Sequence, residues 1–81
     1  MAWMHEVIES IANETRLGAE SLTVPPAEVS GLLDVARIAA HVSGDRTNAP
    51  ILCYVLGLAV ARGARLEDLV KVVGRLEESA S

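Results

Sequence analysis

The sequence predicts an all-α protein, a compact four-helix bundle with a near wholly apolar third helix. Three observations lead there. Apolar residues recur at three- and four-residue intervals in four segments, no segment alternates apolar with polar residues as a half-buried strand does, and Gly or Pro marks each junction. The segments fall at about 2–16, 26–43, 49–62 and 66–79, in a single domain spanning 1–81. Hydrophobic residues make up 51% of the chain, yet there is one Trp, one Tyr and no Phe, so the core must be built from Leu, Val, Ile and Ala. Such side chains suit closely packed helices. A chain this short buries only roughly two thirds of its unfolded surface, so each apolar group counts.

In the first segment Trp3, Met4, Val7, Ile8, Ile11 and Ala12 share one side, and His5, Glu6, Glu9, Asn13 and Glu14 take the other. This is an amphipathic helix expected to lie on the core, with Gly18 as its stop. Residues 18–26, GAESLTVPP, read as a linker, because each proline steers the residue before it away from helical angles. Pro26 suits the first turn of the second helix, where its missing N–H is not needed, and Gly44 ends that helix. At 100° per residue Ser30, Asp34, Arg37 and His41 fall in one narrow arc, and apolar residues fill nearly all the rest. The second helix should therefore be nearly enclosed by its own chain or form part of an oligomer interface.

Gly44 to Pro50 is a polar turn, with Asn48 the N-cap candidate, Thr47 the alternative, and Pro50 in the first turn of the third helix. From Ile51 to Ala61 there is no charge, and a helix that is apolar all round must be surrounded. It is the expected central post of the domain. Gly57 within it costs about 1 kcal/mol relative to Ala, which suggests a second backbone close by. Tyr54, Gly57 and Ala61 share one side of that helix, a shallow groove below a phenol. Gly63 ends it. Leu66, Leu69, Val70, Val73 and Leu76 then mark the fourth helix, and the tail Ser79-Ala80-Ser81 is expected to fray.

Several function classes are disfavoured. A net charge of −4 and a pI near 5.0 give no basic footprint for nucleic acid. The single cysteine excludes an internal disulfide, and Cys53, with no His nearby in sequence, reads as a small buried hydrophobe. MAWMHEVIES lacks the basic region of a secretory signal, and the eleven residues Ile51 to Ala61 fall short of the ~20 that span a bilayer. A soluble cytoplasmic protein with no membrane partner is expected. His5 and Glu9 sit at i,i+4 without a third ligand, so an exposed helical pair is the reading and no metal or cofactor site is expected.

The candidate binding surface is the polar stripe of the second helix with the turn after it: Asp34, Arg37, His41, Arg46, Thr47 and Asn48. Two arginines, a histidine and the free N–H groups at the start of the third helix could hold a small anion. The plainer account makes Asp34 and Arg37 an i,i+3 ion pair on a solvated face. Catalysis is not supported. His41 and Asp34 lie seven residues apart on one helix, about 10 Å along the axis, too far for a base and its orienter.

The run from Leu33 to Val60, LDVARIAAHVSGDRTNAPILCYVLGLAV, resembles a small bacterial domain of uncharacterised function. Its pattern places Asp, Ala-Arg and Ala-His on a helix, Arg and Ala-Pro in a turn, and Leu-Gly-Leu-Ala at the end of an apolar helix. The matching positions are Asp34, Ala36, Arg37, Ala40, His41, Arg46, Ala49, Pro50, Leu56, Gly57, Leu58 and Ala59. That domain occurs alone and as a C-terminal extension of molybdenum cofactor guanylyltransferases, which attach GMP to molybdopterin. In the linker, Leu22-Thr23-Val24-Pro25-Pro26 stands where the family has an acidic segment. The resemblance implies an accessory role near molybdenum cofactor maturation, with a guanylyltransferase or a molybdoenzyme as partner. It supplies no activity, because the chain has no Gly-rich nucleotide loop and no strand-helix alternation.

Two largely apolar helices are a heavy load for four helices to enclose, and Trp3, Leu22, Val24 and Val72 add to it. Surplus apolar surface marks a partner site. The expected function is a non-catalytic interaction module that self-associates as a homo-oligomer and whose Asp34, Arg37, His41 and Arg46 surface docks a protein partner or an anionic cofactor group. The alternatives are a purely structural homo-oligomer and a small anion- or nucleotide-binding domain.

Overall fold

The computed structural model describes residues 2–80. Among these residues there are four α-helices and no strand: α1 (Ala2–Thr15), α2 (Pro26–Ser43), α3 (Asn48–Ala61) and α4 (Leu66–Ala80), with a short 3-10 turn, Ala19–Leu22, between α1 and α2. The chain is all-α, as its periodicity indicates.

Local chemistry sets most of the boundaries. Pro25 is extended (φ −61°, ψ 152°), Pro26 opens α2, and the Pro25 carbonyl accepts hydrogen bonds from Glu28 and Val29 N–H at 2.9 and 3.0 Å. Gly44 (φ 73°) and Gly63 (φ 103°) take the left-handed conformation after α2 and α3, which costs glycine nothing. The stop of α1 is different. Gly18 is extended at φ −68°, and the left-handed residue is Arg16 at φ 62°. Thr15 assists there, its hydroxyl donating to the Ile11 carbonyl at 2.7 Å. α4 continues through Ser79 to Ala80, and Ser81, the end of the tail expected to fray, lies outside the described residues.

The centre of the fold is α2. Val35 is 0% exposed, and with Ile38, Leu56 and Val73 it forms the core, flanked by Leu52, Cys53, Leu69 and Val70. Both α3 and α4 pack on α2, and Gly31 allows the α4 contact: a Cβ built there would lie 3.2 Å from Val70 Cγ2. The close approach expected at Gly57 is absent, since a Cβ there has open space. The expectation that α3 is the enclosed post is thereby corrected. Of its residues Leu56 alone is buried, because α2 covers one side and α4 only skirts another. Cys53 is partly buried, its Sγ 4.0 Å from the Leu32 carbonyl oxygen.

The molecule is also less compact than a four-helix bundle. It measures 43 × 25 × 19 Å, with a Cα radius of gyration of 14.0 Å, against about 12 Å for a compact chain of this length. The reason is α1. It packs on the 3-10 turn, and no Cα of α1 comes within 8 Å of one in α2. Ala12 is buried, but Trp3, Met4 and Ile11 are exposed. Between α1 and α2 runs an apolar groove of about 690 Å³, lined by Met4, Ile8, Val24, Val29, Leu32 and Leu33.

Candidate functional site

The arc of charge on α2 is solvated, as its spacing requires: Asp34, Arg37 and His41 are all exposed. Their neighbour across the fold is Glu77 of α4. Arg37 Nη1 donates to Glu77 Oε2 at 2.8 Å, while Arg37 Nε stands 4.0 Å from Asp34 Oδ1. The hydrogen bond from Arg37 holds the Glu77 carboxyl below its ordinary range, with the charges of Arg37 and His41 adding to the effect. The same bond raises Arg37. His41 and Glu77 line a polar notch of about 400 Å³ with Val42 and Ala80.

Glu77 escaped the reading of the sequence, although a signal was present. It follows Leu66, Val70 and Val73 on the buried side of α4, and a carboxylate on that row calls for a cation on the helix it faces. Asp45 was missed as well. The cap position of α3 is held by Thr47, the alternative, without a side-chain bond to the helix; Asp45 Oδ1 accepts the Thr47 N–H at 2.9 Å and the Thr47 hydroxyl at 2.6 Å. These bonds push the Asp45 carboxyl down. Asn48, the expected cap, is inside the helix, and its Nδ2 donates to Ser43 Oγ at 3.0 Å.

This turn decides what Arg46 and Asn48 can offer a ligand. The N–H groups of Thr47, Asn48 and Ala49 already bond to Asp45 Oδ1, the Asp45 carbonyl and the Arg46 carbonyl. The donors an anion would need there are in use. Arg46 is exposed, and its side chain has no hydrogen bond or ion pair within the described residues. The six candidates thus form two groups. Asp34, Arg37 and His41 lie together beside Glu77, and Arg46, Thr47 and Asn48 belong to the separate turn network with Ser43 and Asp45.

Elsewhere, His5 Nε2 and Glu9 Oε1 pair at 3.1 Å on the exposed side of α1. Among the described residues no group of three His, Cys, Asp or Glu could hold a metal ion, and no helix is long and apolar enough to cross a membrane.

A second uncovered feature, besides the groove between α1 and α2, is also apolar. Ile51 (64% exposed), Tyr54 (69%), Val55 and Leu58 are exposed on α3. Helical geometry makes this a continuous stripe, because positions 51, 54 and 58 are separated by three and four residues. On one flank α3 and α4 diverge to leave a groove of about 360 Å³, with Ile38 and Val73 in its floor and Val55 and Leu76 in its walls. Val72 and Leu76 continue the exposed apolar surface on α4. On the other flank are Gly57 and Ala61, small and open. The absence of charge from Ile51 to Ala61 already signalled this surface, but its reading as enclosed pointed the wrong way.

No curated protein sequence matches the chain, and no solved structure does. The family model described as a domain of unknown function, DUF6457, matches residues 1–81. The match takes in α2, the Asp45 turn and the apolar α3 along with the rest of the chain, which therefore belongs to the DUF6457 family.

Proposed function

We propose that this protein is a non-catalytic helical interaction module, accessory to molybdenum cofactor maturation, which works by presenting the outer face of α3 to another protein surface. One observation carries the reading: Ile51, Tyr54, Val55 and Leu58 form an apolar stripe that the chain itself leaves uncovered. Apolar surface of this extent is disfavoured in water unless it serves a contact. The link to molybdenum cofactor chemistry is supported by the likeness of Leu33 to Val60 to the domain carried at the C-terminus of molybdenum cofactor guanylyltransferases. The module that this face assembles has such a transferase or a molybdoenzyme as its partner.

The anion- or nucleotide-binding alternative at Asp34, Arg37, His41, Arg46 and Asn48 has less support. Arg37 is engaged by Glu77, and the N–H groups at the start of α3 are bonded within the turn. The test is co-purification from the native cell. The wild-type chain should retain a guanylyltransferase or a molybdoenzyme, and a variant with Ile51→Glu and Leu58→Glu should lose it while keeping its helix content. Equal recovery by both proteins, or recovery of neither enzyme with the wild type, would overturn the proposal.

A further inference from the structure

The apolar stripe has a spacing that names its partner. Residues 51, 54, 58 and 61 are separated by three, four and three positions, the interval of a helix-pairing seam, and the series reads the same in both directions. We infer that the outer face of α3 is covered by α3 of a second copy of this chain, running antiparallel about a two-fold axis at the level of Leu56. This rests on the reading of α3 as an interaction face and names what occupies it.

Size complementarity favours this direction. An antiparallel pair sets Ile51 of each copy against Ala61 of the other, and Tyr54 against Leu58. Large meets small at the ends of the seam, and a ring meets an aliphatic side chain at its middle. Gly57, where an added Cβ meets nothing in the single chain, leaves room beside Leu58 for the phenol of the second copy. A parallel pair would put Tyr54 on Tyr54 and Ala61 on Ala61, crowding one level and leaving a void at another, and both faults are destabilising.

Charge at the helix ends points the same way. Arg62 follows α3, its Nη1 donating to the Leu58 carbonyl at 3.2 Å, and Asp45 and Arg46, one charge of each sign, precede it. An antiparallel pair brings Arg62 toward the end that carries Asp45, and it also opposes the two helix dipoles. A parallel pair would bring Arg62 toward Arg62.

The area is sufficient for a reversible dimer. Burying an aliphatic side chain removes roughly 60–120 Å² of apolar surface and an aromatic one about 200 Å². On that scale the exposed parts of Ile51, Tyr54, Val55, Leu58, Val72 and Leu76 amount to on the order of 400 Å² per copy. With the polar rim, two copies would bury about 1,200 Å², the lower limit for specific interfaces, which suits dissociation in the micromolar range.

Two measurements on the purified full chain test this. In sedimentation equilibrium at about 100 μM the wild type should show about twice its mass of 8.6 kDa. Leu58→Glu should sediment as a single chain with unchanged circular dichroism. For direction, single-cysteine proteins carrying Ile51→Cys or Ala61→Cys, each with Cys53→Ala, are mixed and mildly oxidised. The mixed 51–61 disulfide should exceed either like-with-like product severalfold. A monomeric wild type, a Leu58→Glu protein that stays dimeric, or a dominant 51–51 or 61–61 product would each overturn the pairing. A monomeric wild type would leave the interaction-module reading standing, because that reading fails only on the co-purification test.

Discussion

α2 and α3 are the two most apolar helices of this chain, and they have opposite fates. α2 carries a charged arc, Asp34, Arg37 and His41, and holds Val35, Ile38 and Ala39 in the core. α3 carries no charge between Ile51 and Ala61, yet Leu56 is its one buried residue. Apolar content alone does not fix burial. A polar arc orients a helix, so the opposite side can be matched to neighbours. A helix without such an arc shows neither which side its own fold takes nor how much is left for another molecule.

The largest expected contrast lies within α3. Leu56→Ala removes the buried contact and should cost about 3 kcal/mol, whereas Leu58→Ala, two residues on, should change stability of the dilute single chain by less than about 0.5 kcal/mol. Urea titration of both variants measures the contrast. Equal losses would mean that α3 is enclosed after all.

A smaller effect separates the glycines of the two helices. Gly57→Ala gains helix propensity with nothing to strike and should stabilise the dilute chain by about 1 kcal/mol. At Gly31 the same change pushes a Cβ against Val70, so the gain should be smaller or reversed. Thermal melts of the two variants decide it. Arg16→Gly is a control outside the pair: it relieves a left-handed arginine and should raise stability by about 0.5–1 kcal/mol.

Weakest is the dependence on pH. Asp45 and Glu77 have depressed carboxyl pKa values in the folded chain, so the unfolded chain binds more protons in acid. Their contribution should be fully present above the ordinary carboxylate range of about 4 and should fade as pH falls through their lowered values. Glu77→Gln should flatten part of that acid slope in melts between about pH 5 and 2. A slope unchanged in Glu77→Gln would show that the contact with Arg37 does not persist in solution.

Much of the fold was legible because local chemistry wrote it. Pro26 opens α2, Gly44 and Gly63 close α2 and α3, and the row Leu66, Val70, Val73 predicts which side of α4 is buried. What stayed hidden depends on geometry between helices. Gly18 offered a cheap left-handed stop, but the chain turned two residues earlier at Arg16, where Thr15 bonds back to Ile11. Gly31 rather than Gly57 meets a neighbour, since only the relative rotation of α2 and α4 decides which glycine faces a side chain. In the charged cluster the α2 members could be read from their spacing, but their anchor, Glu77, comes from 40 residues away. Asn48 lies one residue inside α3, and Thr47 holds the cap position, with its N–H and hydroxyl both bonded to Asp45 Oδ1.

On this proposal α3 keeps its outer face for a contact outside the single chain, and that contact is a second copy. The most direct measurement is the thermal midpoint of wild type and Leu58→Glu over a hundredfold range of protein concentration. The wild-type midpoint should climb with concentration, and the Leu58→Glu midpoint should be flat and equal to the dilute wild-type value. A Leu58→Glu protein unfolded at every concentration would contradict it, because Leu58 would then belong to the core.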